Sequence, residues 1–175
     1  MIDKTEKTVI ENFGKEWENF DQSFNNYELQ KVFNDYFKIF PNKFLNKDSV
    51  GADIGCGSGR WAKYILPKVK HMHLIDPSSK SIDVAKNNLK NFKNITFHNI
   101  DVESMNNINV KFDFAYSLGV LHHIKDTENG ILNCSKQLKK GSPFLIYLYY
   151  NFENRKFTFK LIWFLSNFLR KIISN

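Results

Sequence analysis

Cysteines and long apolar runs are scarce in this sequence, and each absence excludes a class of protein. Only two of the 175 residues are cysteines, Cys56 and Cys134, which excludes a disulfide-bonded scaffold and indicates a reducing compartment, so we expect a cytoplasmic protein. No cluster of metal ligands surrounds either cysteine, and no metal site is expected. No apolar run reaches the roughly 18 residues that predict a membrane-spanning helix. The opening residues, M-I-D-K-T-E-K, are charged and lack an apolar core, so we expect no signal peptide.

Internal repeats and low-complexity linkers are also absent, and the length suits one α/β domain over residues 1–175. The net charge of +7 is typical of proteins that bind nucleic acids or anionic membranes. Lysine and asparagine are nevertheless spread over the whole length, so a general compositional bias explains the charge better than a binding surface does. We expect an N-terminal helical segment (1–48), a ligand-binding core (49–150) and a C-terminal helix (151–175).

The densest cluster of glycines follows the first predicted strand, in the run V-G-A-D-I-G-C-G-S-G-R-W at residues 50–61. Glycine at alternate positions lets the backbone turn tightly and lets a ligand lie against the main chain. The helix that follows points its free N–H groups toward that ligand. The run therefore predicts a loop that binds a nucleotide-type cofactor through Asp53, Gly55, Cys56, Gly57 and Gly59.

Strands and helices are predicted to alternate along the core. Strands are expected at about 50–54, 71–75, 95–98, 111–117 and 143–150, and helices near 27–40, 59–66, 79–91 and 127–139. Ser78 and Asp126 are suited to cap helices, and Gly141 is suited to end one. The alternation predicts an α/β fold with a doubly wound, mostly parallel, Rossmann-like sheet of five strands in the order 3-2-1-4-5. Ligands of such sheets bind beyond the carboxyl ends of the strands.

The spacing within the glycine loop separates two classes of cofactor. In a dinucleotide-binding loop the third glycine comes one residue later, at the position that Arg60 occupies here. The pattern D-x-G-x-G-x-G instead resembles the first motif of class I S-adenosylmethionine-dependent methyltransferases. The carboxylate of Asp53 would repel a pyrophosphate, but it favours the ammonium and sulfonium of S-adenosylmethionine. We therefore expect S-adenosylmethionine as the cofactor, and an NAD-dependent oxidoreductase is disfavoured.

Two acids at the ends of later strands match further positions of that pattern. Asp76, which with Pro77 follows strand two, can accept hydrogen bonds from both ribose hydroxyls, although a turn or a helix cap would also explain it. The resemblance implies that an acid after strand three, here Asp101, faces the adenine amino group and that the N–H of Val102 meets a ring nitrogen. An ordinary solvated loop acid is the alternative for Asp101.

The run after strand four, Y-S-L-G-V-L-H-H-I, resembles the fourth motif of the same family. The resemblance implies that Ser117, Leu118 and Gly119 lie beneath the methionine part of the cofactor and that His122 lies near the transferred methyl. A histidine there would take a proton from the acceptor at neutral pH, and packing alone is its alternative role. Methyltransferases of base amino groups usually carry a D/N/S-P-P-Y/F run after strand four. No such run is present, so a DNA substrate is not expected.

The N-terminal segment contains the aromatic-rich run F-G-K-E-W-E-N-F at residues 13–20. It resembles segments that fold over the cofactor in some members of the family, so Trp17 is predicted to contact the cofactor. The aromatic residues of this run also recur at helical spacing, which fits an ordinary core face equally well.

The last 25 residues depart from the family pattern. The family sheet ends in a hairpin of strands six and seven, whereas residues 151–175 predict one helix with a broad apolar stripe. We expect this stripe to pack within the domain; a homodimer contact is the second option and peripheral contact with an anionic membrane is the third.

These features together predict methyl transfer to a small-molecule acceptor or to a lipid- or sugar-linked one. The alternative is a domain that binds S-adenosylmethionine but has lost catalysis with the missing strands. Methyl transfer of this kind depends mainly on holding donor and acceptor in line, so little covalent chemistry is expected of the protein.

Overall fold

The computed structural model describes residues 26–149 and 155–173, and five strands and five α-helices lie in these ranges. Trp17 and the rest of the N-terminal aromatic run lie outside the described residues. The strands are β1 (Val50–Ile54), β2 (His71–Ile75), β3 (Ile95–His98), β4 (Phe114–Leu118) and β5 (Phe144–Tyr147). The α-helices are α1 (Asn26–Phe37), α2 (Ala62–Ile65), α3 (Ser79–Asn88), α4 (Thr127–Lys136) and α5 (Phe157–Ile173).

The strands form one parallel sheet in the order β3-β2-β1-β4-β5, as the sequence predicts. The first three strands also have the predicted bounds. From β1 the chain adds β2 and then β3 on one side, and it then crosses back to add β4 and β5 on the other side of β1. The sheet is therefore doubly wound. The carboxyl ends of β1, β2 and β4 therefore meet at one edge, on either side of this switch point.

The core has one layer on each face of the sheet. On the first face, α1 packs aromatic rings against β4, with ring centroids 5.2 Å apart for Phe37 and Tyr116 and 5.7 Å for Phe40 and Phe114. The second face is built around Phe112, with further buried apolar side chains from the connections and α4. Both faces of the sheet are covered by apolar side chains, as is usual for parallel sheets.

All four helices predicted between residues 27 and 139 are shorter than the sequence indicates, and two of them have a local cause. The helix expected at 59–66 begins only at Ala62, because Gly59 has a φ of +74°, outside the right-handed helical region. The helix expected at 127–139 ends at Lys136, and Gly141 belongs to the turn before β5 instead of ending the helix. The reason is a parallel bridge between Phe112 and Leu138, which draws the chain out of the helix and into extended pairing.

The predicted cap residues occupy the ends of their helices. The hydroxyl of Ser78 accepts a hydrogen bond from the N–H of Ser81 at the start of α3, and the carboxylate of Asp126 accepts one from the N–H of Asn129 at the start of α4. Both caps satisfy backbone donors that have no partner within the helix. These two helices begin where loops leave the carboxyl edge of the sheet, so the caps also fix the loops.

Helix α5 does not pack on the sheet over the part whose side chains the structure describes. Its large apolar side chains between residues 157 and 165 are 40% to 77% exposed, so this part of the stripe does not pack within the domain as expected. Within the described part of the chain, no helix is long and apolar enough to cross a membrane. The exposed apolar side chains are Phe157, Phe159, Leu161, Ile162, Trp163, Phe164 and Leu165.

Candidate functional site

A cavity of about 470 Å³ opens at the switch point, beyond the carboxyl ends of β1, β2 and β4. This is the position at which open α/β sheets bind ligands, and the volume is typical of small-molecule sites. Residues from every loop at this edge contribute to its wall, together with Tyr36 of α1 and Tyr149 after β5.

The glycine loop forms the floor of the cavity. Gly55, Gly57 and Gly59 all have positive φ angles, of 74°, 52° and 74°. The N–H groups of Gly55 and Cys56 both donate to the carbonyl of Ile75, which ties the loop to the end of β2. Gly55, Cys56 and Gly57 line the cavity, whereas a side chain at Gly59 would approach Leu89 to 2.7 Å. Gly59 therefore allows the loop to pack on α3 and does not line the cavity.

Asp53 lies at the base of the cavity and is only 2% exposed. The hydroxyl of Tyr116, on the adjacent strand β4, donates a hydrogen bond of 2.8 Å to its carboxylate. Burial raises the pKa of Asp53 to about 7, and the hydrogen bond from Tyr116 opposes this rise. A carboxyl group that changes its charge near neutral pH therefore faces the ligand cavity.

Asp76 occupies the end of β2, as predicted, and is nearly buried in the cavity wall. Its carboxylate accepts hydrogen bonds from two backbone N–H groups, those of Gly57 and Ser78, each at 2.9 Å. Burial raises its pKa, and these two backbone bonds lower it. Asp76 thus joins the glycine loop to the start of α3, while each carboxylate oxygen keeps a further lone pair for a ligand.

The loops after β2 and β3 supply the next part of the wall. Pro77, Asp101 and Val102 all line the cavity, as the sequence predicts for cofactor contacts. One carboxylate oxygen of Asp101 accepts a hydrogen bond of 2.8 Å from the N–H of Ser104, which begins a short 3₁₀ turn. This bond fixes the acid at the mouth of the cavity without using all of its acceptor capacity.

The exit from β4 places only part of the predicted run in the cavity. Leu118 and Gly119 line it, but Ser117 is fully buried away from it and does not contribute to the wall. Successive side chains of a strand point to opposite faces, so Tyr116 and Leu118 share the face of α1 while Ser117 points to the other core layer. The side chain of Ser117 therefore does not reach the cavity, and its contact with the cofactor stays a prediction.

The two histidines after β4 have different surroundings, and only one reaches the cavity. His123 lines the cavity wall and is exposed, whereas His122 does not line it and packs edge-on against the ring of Tyr149 at 4.6 Å. Both lie in a 3₁₀ turn, Leu121–His123, in which adjacent side chains point about 120° apart. His123 is thus the histidine of this pair that lines the cavity, and the role of His122 at the reacting end stays a prediction. Burial lowers the pKa of both imidazoles.

An aromatic wall, formed by Tyr36, Trp61 and Tyr149, also lines the cavity and was not predicted from the sequence. The ring of Tyr36 lies 5.7 Å from that of Trp61. Arg60 stacks on Trp61, with its guanidinium carbon 4.5 Å from the ring centroid, and also lines the cavity. The only sequence signal for Arg60 is that it fills the position of the third glycine in a dinucleotide loop.

The electrostatics of the site are mixed. Asp53, Asp76 and Asp101 lie on one side, and Arg60 faces them from beside the aromatic wall. Burial lowers the pKa of the Arg60 guanidinium, while the neighbouring Tyr36, Tyr149 and Asp53 raise it. The arrangement suits a zwitterionic ligand. Within residues 26–149 and 155–173, no three side chains of the metal-binding types are grouped so as to hold a metal ion.

Comparison with known proteins identifies one family and several relatives. The model of a family described as "Methyltransferase domain" matches residues 52–144, just over half of the chain. A tRNA U34 carboxymethyltransferase of Campylobacter fetus is 34% identical over 107 residues, which are 59% of this chain and 38% of that protein. A ubiquinone biosynthesis O-methyltransferase of Rhizobium leguminosarum is 26% identical over 90 residues, 51% of this chain and 36% of that protein.

A solved structure shares the fold. The N-methyltransferase NodS from Bradyrhizobium japonicum, in complex with S-adenosyl-L-homocysteine, superposes with a TM-score of 0.66 at 21% identity, over 78% of this chain and 71% of that one. The chain spans less than two fifths of the length of the curated relatives described above.

Proposed function

The chain belongs to the methyltransferase domain family, and on that premise we propose that it binds S-adenosylmethionine in the switch-point cavity and transfers its methyl group to a small-molecule acceptor. The observation that carries the proposal is the set of buried acids, Asp53 and Asp76, around a glycine loop of positive φ. Asp76 suits a ligand with ribose hydroxyls, which S-adenosylmethionine and NAD both carry. Asp53, beside the glycine loop, favours a cationic, phosphate-free ligand and disfavours the pyrophosphate of NAD. When bound, S-adenosylmethionine supplies a methyl group activated by its positively charged sulfur.

The polar groups of the cavity divide among the parts of this cofactor. Asp76 would accept hydrogen bonds from the ribose hydroxyls, and Asp101 with the N–H of Val102 would hold the adenine. Asp53 and the glycine loop would hold the amino-acid end. Arg60 adds a cation that suits the carboxylate of that same end, a contact absent from the sequence prediction.

His123 is the candidate base for the acceptor. It lines the cavity after β4, where the family motif predicts the reacting end. Because its pKa is lowered by burial, the imidazole is neutral at physiological pH and is able to accept a proton from a hydroxyl or amine. The aromatic wall and Leu118 shield the same part of the cavity from water.

The acceptor is proposed to be a small molecule, or the small head of a lipid- or sugar-linked metabolite. The aromatic wall offers flat apolar surfaces of a size that suits such groups. A second candidate function is cofactor binding without transfer. In that case the cavity would hold S-adenosylmethionine or S-adenosylhomocysteine, and no acceptor would be methylated.

Incubation of the protein with methyl-labelled S-adenosylmethionine and a fractionated metabolite extract tests the proposal. Label that moves to a small molecule, and that is lost with His123→Ala, supports methyl transfer. Tight binding of S-adenosylhomocysteine with no labelled product from any fraction supports the second candidate instead.

A further inference from the structure

A buried hydrogen bond joins Tyr116 to Asp53 at the base of the cavity, and the proposed function gives Tyr116 no role. The hydroxyl of Tyr116 donates 2.8 Å to the carboxylate of Asp53, and the two residues are 0% and 2% exposed. They are register partners on β4 and β1, so the sheet itself places them side by side. The ring of Phe37 covers Tyr116 edge-on at 5.2 Å and fixes its orientation.

We propose that Tyr116 is a positioning residue for the cofactor, whose hydroxyl holds the carboxylate of Asp53 in the orientation that meets the cationic end of S-adenosylmethionine. This inference rests on the proposed function. A phenol suits the role because it donates a hydrogen bond without bringing a charge of its own. A lysine or arginine at this position would cancel the negative charge that the cofactor's cation meets.

The groups around Asp53 act in opposite directions. Burial and the nearby carboxylate of Asp76 favour the protonated form, whereas Tyr116 and Arg60 favour the ionised form. Burial raises the pKa of the Cys56 thiol well above its ordinary value, so the thiol stays neutral. The balance leaves Asp53 with a pKa of about 7, in a range where a single hydrogen bond decides its charge.

The sign of the pH effect follows from linkage. A cationic ligand binds the ionised form better, so affinity falls as pH drops below the pKa of Asp53, by up to about tenfold per pH unit. Removing the Tyr116 hydroxyl raises that pKa. If the rise is about one unit, affinity at pH 7 falls roughly fivefold, and the loss shrinks as the pH rises.

Titration calorimetry with S-adenosylhomocysteine tests this, from about pH 6 to about pH 8.5, around the pKa of Asp53. Any titration of the ligand's own ammonium is the same for both proteins and cancels in the comparison. S-adenosylhomocysteine keeps the ammonium and needs no acceptor. The Tyr116→Phe variant keeps the ring and its packing and removes only the hydroxyl. The expected result is a pH midpoint of affinity that moves upward, with the two proteins converging at the alkaline end.

Two variants serve as controls. Tyr64→Phe removes a tyrosine hydroxyl from α2, outside the cavity, and is expected to leave the pH profile unchanged. Asp53→Asn is expected to bind weakly with a flat pH profile. An equal loss of affinity at all pH values in Tyr116→Phe would mean that the hydroxyl has a structural role only, and would overturn the inference.

Carbon-13 NMR of aspartate carboxyls in the ligand-free protein gives an independent readout. A resonance that titrates near pH 7, is absent in Asp53→Asn and moves upward in Tyr116→Phe is expected. An unmoved midpoint overturns the inference even if the ligand binds. A different result is a midpoint that moves while no S-adenosylhomocysteine binds at any pH. The proposed function would then be wrong, and Tyr116 could have no effect on cofactor affinity. The effect of the Tyr116 hydrogen bond on the pKa of Asp53 would still be confirmed.

Discussion

The two sides of the cavity are built by different means. On the side of β1, β2 and β3, backbone N–H groups hold the carboxylates of Asp76 and Asp101 in place, and the glycine loop is tied to β2. On the side of β4 and β5, the wall consists of rings, Tyr36, Trp61 and Tyr149, that come from distant parts of the chain. The first side has a fixed local geometry that suits an invariant cofactor. The second depends on side-chain packing and suits a variable acceptor.

Variants at the two histidines give the largest expected effect and test the side of β4. If His123 is the base, His123→Ala lowers turnover by about 10²- to 10⁴-fold and leaves the affinity for S-adenosylhomocysteine nearly unchanged. His122→Ala is the matched control, since His122 packs against Tyr149 and does not line the cavity. Its expected effect is a loss of thermal stability with little change in turnover. Single-turnover rates with labelled cofactor measure the difference, and the opposite pattern would return the role to His122.

Asp76→Ala tests the cofactor side. The change removes an acceptor for the N–H groups of Gly57 and Ser78 and for the proposed ribose contacts. Because hydrogen bonds to charged groups contribute about 1.5–3 kcal/mol each, the loss of two ribose contacts is expected to weaken the binding of S-adenosylhomocysteine by about 3–6 kcal/mol. The domain is expected to stay folded. Asp83→Ala, at an exposed salt bridge on α3, is the control with unchanged affinity. Calorimetry that gives equal affinities for Asp76→Ala and the unaltered protein would remove the ribose assignment.

Gly55→Ala separates backbone strain from close packing in the glycine loop. Gly55 and Gly141 have similar φ angles, of 74° and 82°. A Cβ at Gly55 would lie 2.4 Å from Val120, whereas one at Gly141 would have nothing within 4 Å. In both variants the new alanine has to adopt a positive φ, which lowers the free energy of unfolding by about 1–2 kcal/mol. Overpacking adds about 1–3 kcal/mol at Gly55 alone. Urea unfolding is expected to show this extra loss, and equal losses would mean that Val120 moves away freely.

Phe164→Asp on α5 has the smallest expected effect on the cavity. Phe164 is 64% exposed and does not line the cavity, so the affinity for S-adenosylhomocysteine is expected to stay within about twofold. Sedimentation velocity and flotation with anionic vesicles, on the same variant, distinguish a homodimer contact from a membrane contact. A large loss of cofactor affinity would show that α5 supports the cavity after all.

The cofactor side could be predicted because its signals are local. The glycine loop, the acids at the ends of β2 and β3 and the cap Ser78 each follow directly from a short run of sequence and the alternation of strands and helices. The strand order also followed, because βαβ connections leave few alternatives.

The acceptor side was predicted less well because its geometry is not local. Whether the side chain of Ser117 faces the cavity depends on the orientation of β4. Whether that of His122 does so depends on one 3₁₀ turn, in which a shift of one residue points a side chain in another direction. The aromatic wall joins α1, α2 and the end of β5, and nothing in any one of these segments indicates the others. The sequence also indicated an apolar stripe on α5 without indicating that it stays exposed.

The proposed function depends on selection of S-adenosylmethionine over a dinucleotide by Asp53 in the switch-point cavity. We test this selection by titration calorimetry of the unaltered protein with S-adenosylhomocysteine and with NAD, at about pH 8, where Asp53 is mostly ionised. We expect saturable binding of S-adenosylhomocysteine with one site per chain, and no heat of binding with NAD. Binding of NAD at the same site, or no binding of S-adenosylhomocysteine, would rule this selection out.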